Sequence, residues 1–401
     1  MIVEIKPTDF EKIDREVRFA QKKISEGLPK ERIIRKIRRT ILSKEDVFEI
    51  AKSRIKSREK FGNLSEKLFF DESGLRYSTP PVVSEYRAER LKSRAIADIS
   101  CGVGAQLIFF AKKGRAMGVE LDRKRAILAK LNLIAMGVDG LVVAGDALSD
   151  EVISIVKSFE AEVIFSDPAR PPSMDVRTFD GLEPMPEMVL KRYEHITDKI
   201  AFELPPQMPP ERIKLDGEKE YTSLDFRLNR LAFYRGELAE CDVSAVTLPS
   251  MERVTDQDDR LAVDECDEVE SMIHEVDYTI VKAGLLENLL GKYSFEAKLW
   301  LNDGRRVLLT SDRKSETEFM RDYEVIDTCR FSASEVNRRL KVLNAGKVTI
   351  RFAIDPKNYW SVRKKLEEGL AGEEWYHLFR KDSEAVIAKG LRKETIKEGK
   401  D

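Results

Sequence analysis

A chain of 401 residues is longer than one ordinary core organises, so two to three domains are expected. Apolar residues at 42% and charged residues at 35% exclude a chiefly disordered or fibrous protein, while a net charge of −2 conceals an excess of about seven positive charges in the first sixty residues. No apolar run approaches the roughly 18 residues of a membrane-crossing helix, and MIVEIKPTDF has no basic stretch leading into an apolar one.

From Phe10 to Phe61, Ile13, Val17, Ile24, Ile33, Ile37, Val47 and Ile50 recur at helical spacing among Lys and Arg, which predicts a basic helical domain over residues 1–78. Gly27 and Pro29 break its first helix, and Ser43 with Glu45 and Asp46 opens another. Thr79, Pro80 and Pro81 make an extended joint before SEYRAERL resumes as helix. Residues 79–250 then alternate short apolar runs with amphipathic stretches, the pattern of a parallel sheet covered by helices. Its strands are expected at Ala95 to Ile99, Ala116 to Glu120, Gly140 to Ala144, Val163 to Asp167 and Lys199 to Glu203, with antiparallel strands between Tyr221 and Leu248. Residues 251–270, rich in Asp and Glu, read as a solvated linker or surface loop. Residues 271–401 read as an α+β domain, with strands near Phe295, Arg306, Tyr323, Lys347, Trp375 and Ala385 and helices at Val336 to Leu343 and Tyr359 to Leu370. Cys101, Cys241, Cys266 and Cys329 form no CxxC pair and His195, His274 and His377 are dispersed, so no disulfide and no metal site are expected. A cytoplasmic location follows as an expectation.

Chemistry concentrates in the sheet region. In ADISCGVGAQLIFFA a strand ends at Asp98 and turns through Ser100, Cys101, Gly102 and Gly104 into an apolar helix. Glycines let a small molecule lie against the backbone there, and they reach turn angles that a Cβ disfavours. A dinucleotide fingerprint needs a third glycine where Leu107 stands, so an adenosyl ligand without a diphosphate fits better. Twenty-two positions after Asp98, GVELD sets Glu120 and Leu121 at the end of the second strand, where an acid accepts both ribose hydroxyls. GDAL sets Asp146 and Ala147 after the third, suited to an adenine amino group. VIFSDPARPP closes the fourth with Asp167, Pro168, Ala169 and Arg170, at the carboxyl edge where open α/β sheets bind ligands. Carbon-5 methylation of a pyrimidine needs a nucleophilic Cys, and the next strand, KIAFELPP, has none.

These segments, in this order, resemble the class I S-adenosylmethionine (SAM)-dependent methyltransferases, and SCGVG with DPAR looks like their RNA-modifying branches. EYTSLDFRLNRLAFYRGELAECDVSAVTLP, KVTIRFAIDPKNYW and EWYHLFRKDSEAVIA further resemble methyltransferases that carry a C-terminal THUMP-like domain. The resemblance implies an α/β, Rossmann-like methyltransferase domain between a helical N-terminal domain and a THUMP-like α+β domain. It implies SAM as cofactor, held by Asp98, Ser100, Cys101, Gly102, Gly104, Glu120, Leu121, Asp146, Ala147 and Asp167, with Asp167, Pro168 and Arg170 at the substrate. RNA, tRNA foremost, is the implied partner, with a base nitrogen as target. Ser100 departs from the glycine of many relatives, and Ala169 replaces the second proline of a nitrogen-methylating tetrad. A protein or small-molecule substrate, or a non-catalytic RNA-binding scaffold, stays open, as does the oligomeric state. RIIRKIRRTILSK reads either as a solvated helix face or as a phosphate contact, and Tyr359, Trp360, Trp375 and Tyr376 either as core or as base-stacking groups.

Overall fold

A computed structural model describes residues 1–169, 181–304 and 306–391. The chain forms two compact units: Met1–Glu220 with Arg230–Val243, and Tyr221–Asn229 with Ser244 onward.

The first unit opens on the helices α1 (Pro7–Ser25), α2 (Lys30–Lys36), α3 (Lys44–Lys56), α4 (Arg58–Phe61), α5 (Glu72–Tyr77) and α6 (Pro81–Arg90). Ser43 starts α3 by accepting the Asp46 N–H at 3.0 Å. Pro81 opens α6, where its missing N–H would have no intrahelical partner. Ile13, Val17, Ile33, Ile37, Val47 and Ile50 lie in the same apolar core as Leu107, Phe110, Leu131 and Phe165. The N-terminal helices therefore share the core of the sheet and do not end as a separate domain at residue 78. Periodicity marks the buried stripe of a helix but not the surface it meets.

The remaining elements of this unit alternate: β1 (Ala95–Asp98), α7 (Leu107–Lys113), β2 (Arg115–Glu120), α8 (Arg123–Ala135), β3 (Leu141–Ala144), α9 (Asp150–Ser158), β4 (Val163–Ser166), α10 (Pro186–Tyr193) and β5 (Ile200–Leu204), then β6 (Glu218–Leu224, up to Glu220) and β7 (Leu228–Tyr234, from Arg230). Their order across the sheet is β3-β2-β1-β4-β5-β7-β6. The first five strands run parallel, and β7 runs antiparallel to β5. Every residue of β1, β4 and β5 is buried, because helices cover both faces of a parallel sheet. From β1 the chain winds outward to β2 and β3, then returns to β4 and β5, which opens a crevice beyond the carboxyl ends of β1 and β4. The outer edge of β3 is paired: Val3 N–H donates to Val142 O and Ala144 N–H to Met1 O, both at 2.8 Å.

The second unit contains β8 (Val243–Leu248, from its second residue), β9 (Glu252–Thr255), β10 (Met272–Val276), α11 (Tyr278–Ala283), α12 (Leu286–Lys292), β11 (Lys298–Asn302), β12 (Val307–Ser311), β13 (Met320–Arg330), α13 (Ala333–Val342), β14 (Ala345–Ile350), α14 (Tyr359–Leu366), β15 (Glu374–Lys381) and β16 (Glu384–Gly390). Its sheet runs β11-β12-β10-β13-β16-β15-β14, with only β14 and β15 parallel. Val336, Leu340 and Leu366 of α13 and α14 pack on Val348, Leu378 and Ile387. For the acidic stretch, the linker alternative is corrected. Residues 252–255 are β9, Leu261 N–H donates to Glu287 O at 3.0 Å, and Cys266 N–H donates to Leu299 O at 3.0 Å. Backbone bonds fix this stretch, which side-chain polarity does not report.

Candidate active site

The turn after β1 is shaped by its backbone. Cys101 N–H donates to Val119 O at 2.9 Å and Gly104 N–H to Cys101 O at 2.8 Å. Gly102 and Gly104 take φ of +56° and +77°, a region that costs L-residues roughly 1–2 kcal/mol. A Cβ on Gly104 would stand 3.0 Å from Ala129 of α8, whereas one on Gly102 would meet nothing within 4 Å. Gly104 lets the loop close on α8, and Gly102 faces open space. Cys101 turns its thiol to β2, where a Cβ on Gly118 would come within 2.7 Å of Sγ. It contributes its backbone to the turn.

Asp98 is 1% exposed, and its Oδ1 accepts the Ser100 N–H at 3.2 Å. Burial pushes its carboxyl up to about 8; the nearby Asp167 and Glu120 add to the rise, and the Ser100 N–H and Arg87 oppose it. Burial also raises Glu120, against the Asp122 and Gly102 N–H groups that favour its charged form. Glu120 thus stands beside Gly102, with Asp122 N–H bonded to its Oε1 at 2.9 Å. Leu121 is 75% exposed. Gly145 N–H donates to Glu120 O at 3.0 Å, bringing the end of β3 alongside. There Asp146 is exposed and accepts Leu148 N–H at 2.9 Å, while buried Ala147 accepts the Tyr193 hydroxyl at 2.6 Å.

Ser100 joins this turn to the end of β4. Its Oγ accepts the Asp167 N–H at 2.6 Å and lies 3.2 Å from the Ser166 Oγ. A glycine could make neither bond. Pro168 is buried, and Ala169 exchanges backbone bonds of 2.7 and 2.8 Å with Glu183; residues 170–180, Arg170 among them, lie outside the described ones. Burial raises the Asp167 carboxyl; Arg230 and then Arg87 act against it. Asp98, Ser100, Gly102, Glu120 and Asp167 therefore gather around one crevice.

Sequence reading missed the groups behind it. Arg87 of α6 pairs with Glu203 of β5, donates to Gln106 Oε1 at 3.2 Å and lies 5.1 Å from the centre of the Phe165 ring. Arg230 of β7 reaches Glu203 Oε1 at 3.3 Å. Burial pushes Glu203 up to about 7, the two arginines opposing. The signal was present in KIAFELPP, where one acid interrupts a wholly buried strand and so needs a cationic partner. Among the described residues, no group of His, Cys, Asp and Glu could hold a metal ion, and no helix is long and apolar enough to cross a membrane.

No family model matches the chain. A Mycobacterium tuberculosis protein named as an uncharacterized SAM-dependent methyltransferase is 27% identical over 316 residues, covering 76% of this chain and 82% of its own length. The crystal structure of a candidate methyltransferase from Porphyromonas gingivalis superposes with a TM-score of 0.74 at 18% identity, covering 95% of this chain and 99% of that one. The protein is a SAM-dependent methyltransferase. The crevice fits the cofactor on its own terms: open space over Gly102, an acid beside it, and a buried carboxylate at the root of the turn.

Proposed function

We propose that this methyltransferase transfers the methyl group of SAM to a base nitrogen in RNA, tRNA foremost. The observation that carries the reading is the Ser100 bond to the Asp167 N–H, which ties the acid of the DPA turn to the glycine loop. In this reading Asp98 receives the methionine ammonium, and the Gly102 to Gly104 backbone lies along the cofactor. Glu120, with Leu121 beside it, accepts the ribose hydroxyls, and Asp146 and Ala147 border the adenine.

Bound SAM supplies an electrophilic methyl group. The protein's task is to align a nitrogen lone pair with it and to accommodate the proton that the nitrogen loses. Asp167 accepts a hydrogen bond from the target N–H, which fixes the direction of the lone pair. A carboxylate raised by burial is also a better proton acceptor than one in water. The Pro168 carbonyl offers a second acceptor to an exocyclic amine, and Arg170 is proposed to hold a phosphate or base edge. A base inside a helix would have to be extruded to reach Asp167. RNA is supported by the likeness of SCGVG, DPAR and the C-terminal segments to RNA-modifying, THUMP-like methyltransferases.

The test is incubation with radiolabelled SAM and unmodified RNA, followed by nucleoside analysis. Label in a methylated base of tRNA is expected. Label confined to protein or small molecules would overturn the RNA reading and leave the methyltransferase intact.

A further inference from the structure

The basic tract of the N-terminal helices takes no part in the crevice, and it gathers unpaired cations within a few residues of one another. Residues 30–39 hold six cations against one acid, Glu31. α2 turns Ile33 into the core at 0% exposure, and Ile37, which caps it, is 1% exposed; this sends Arg32, Arg35 and Lys36, at i, i+3 and i+4, to the outer side of the helix. Past the helix, the Arg38 N–H donates to Glu16 Oε2 at 3.0 Å, and the side chains of Arg38 and Arg39 both stand in solvent.

A solvated helix face ordinarily laces its cations to acids. Among the described residues, many cations elsewhere in these helices are so laced, though Lys22, Arg58 and Arg76 are not: Lys12 pairs with Asp9, Arg18 and Arg54 with Asp14, Lys23 with Glu26, Lys30 and Lys52 with Glu49, and Lys56 with Glu72. Arg32, Arg35, Lys36, Arg38 and Arg39 make no ion pair among the described residues. Lys36 does feel Glu26, but that carboxylate is engaged by Lys23. Five neighbouring cations without acids repel one another, and a polyanion relieves that repulsion while releasing its own counterions.

We infer that Arg32, Arg35, Lys36, Arg38 and Arg39 form a phosphate-binding surface for the RNA substrate, a step that rests on the RNA reading above. A nucleic-acid backbone suits the tract better than a lipid surface does. A helix lying on a membrane turns an apolar stripe outward, whereas α2 buries Ile33, its C-cap Ile37 is buried as well, and only Ile34 is half-buried. Ile41, 49% exposed, lies beyond the helix and is not part of such a stripe. The tract and the crevice belong to the same compact unit, and α3 approaches the ribose side through a 3.1 Å bond from Lys124 to Asp46.

The test titrates a fluorescent, unmodified tRNA transcript with the full-length protein across a salt series. Three proteins are compared: wild type, a variant with all five residues changed to Ala, and one with the four arginines changed to Lys. The alanine variant is expected to bind about 100-fold more weakly, with the slope of log Kd against log salt reduced by about four. The lysine variant should keep the wild-type slope. Calorimetry should give all three the same affinity for SAM, which shows that the crevice is folded. If wild type binds the transcript and the alanine variant binds with the same affinity and slope, the surface is elsewhere and the RNA reading stands. If wild type neither binds nor methylates the transcript, the RNA reading fails and the inference falls with it. Binding of wild type, but not the alanine variant, to phosphatidylserine vesicles without RNA binding would reassign the tract to a membrane and overturn the inference.

Discussion

Each unit buries a cluster of titratable side chains, and the two clusters have opposite characters. In the second unit His274 of β10 lies between Asp322 of β13 and Ser311 of β12, with Nδ1 and Nε2 each 2.8 Å from an oxygen. This is the residue set of a hydrolytic triad. Yet His274 is fully buried, Ser311 Oγ donates to Arg313 O at 3.0 Å, and Asp322 also accepts from the Ser315 N–H and hydroxyl at 3.0 and 2.7 Å. Burial, which raises Asp322, is outweighed by those bonds and by His274, so its carboxyl lies below the ordinary range. In the crevice of the first unit, burial wins instead, and Asp98, Asp167 and Glu203 are all raised. Among the described residues, Glu203 Oε1 has no hydrogen-bond partner beyond the Arg230 ion pair, and the space over Gly102 is open. Satisfied groups mark a core. Acids held away from their ordinary range beside open space mark a site.

The sharpest way to break that contrast is Asp167→Ala. Methyl transfer should fall on the order of a thousandfold in single-turnover assays, with SAM affinity changed only a fewfold. An equal loss of affinity would show that Asp167 serves cofactor and not acceptor. Next is Gly102→Val, which puts a branched side chain into the open space: SAM binding should weaken by about 100-fold in calorimetry. The thermal midpoint should drop only by what a left-handed valine costs. Unchanged affinity would mean that the cofactor lies elsewhere.

The raised acid gives a third, smaller effect. The folded Asp98 carboxyl at about 8 sits above its unfolded value, so the folded protein holds a proton that the unfolded chain has released. Stability therefore falls as pH rises from about 4 to 8, because the unfolded chain ionises first, whereas an ammonium bound there needs the charged form. SAM affinity should rise by up to about tenfold per pH unit between pH 6.5 and 8, with proton release visible in buffers of different ionisation enthalpy. Asp98→Asn should flatten the profile. For the second cluster the sign reverses. The stability Asp322 supplies is present above its unfolded value near 4 and is lost as pH falls through its depressed folded value. Asp322→Asn should cost about 2–4 kcal/mol in denaturant unfolding and leave SAM affinity unchanged; a change in affinity would sink the claim that this cluster is core.

Much of this could be read from residues alone. The β1 to β4 ends with Asp98, Glu120 and Asp167 were legible because glycines, strand-end acids and strand spacing are local signals. The helix start at Ser43 was legible for the same reason. What escaped was set by distant partners. Arg87 looks like one more cation on an amphipathic helix until β5 brings Glu203 beneath it. β10 was unseen because SMIHEV interrupts its apolar run with His274, whose polarity is absorbed by Asp322 and Ser311, 48 and 37 residues away. Ser100 looked like a departure from pattern, and its use emerged only with Asp167 beside it.

The inward-facing thiol of Cys101 has a practical consequence. Pressed against Gly118 and raised by burial, it is a poor target for alkylating reagents, which attack accessible thiolates. Cys241 is also buried, while Cys266 and Cys329 are partly accessible. Maleimide dyes should therefore enter the second unit first, giving a labelled enzyme whose glycine turn after β1 is chemically untouched.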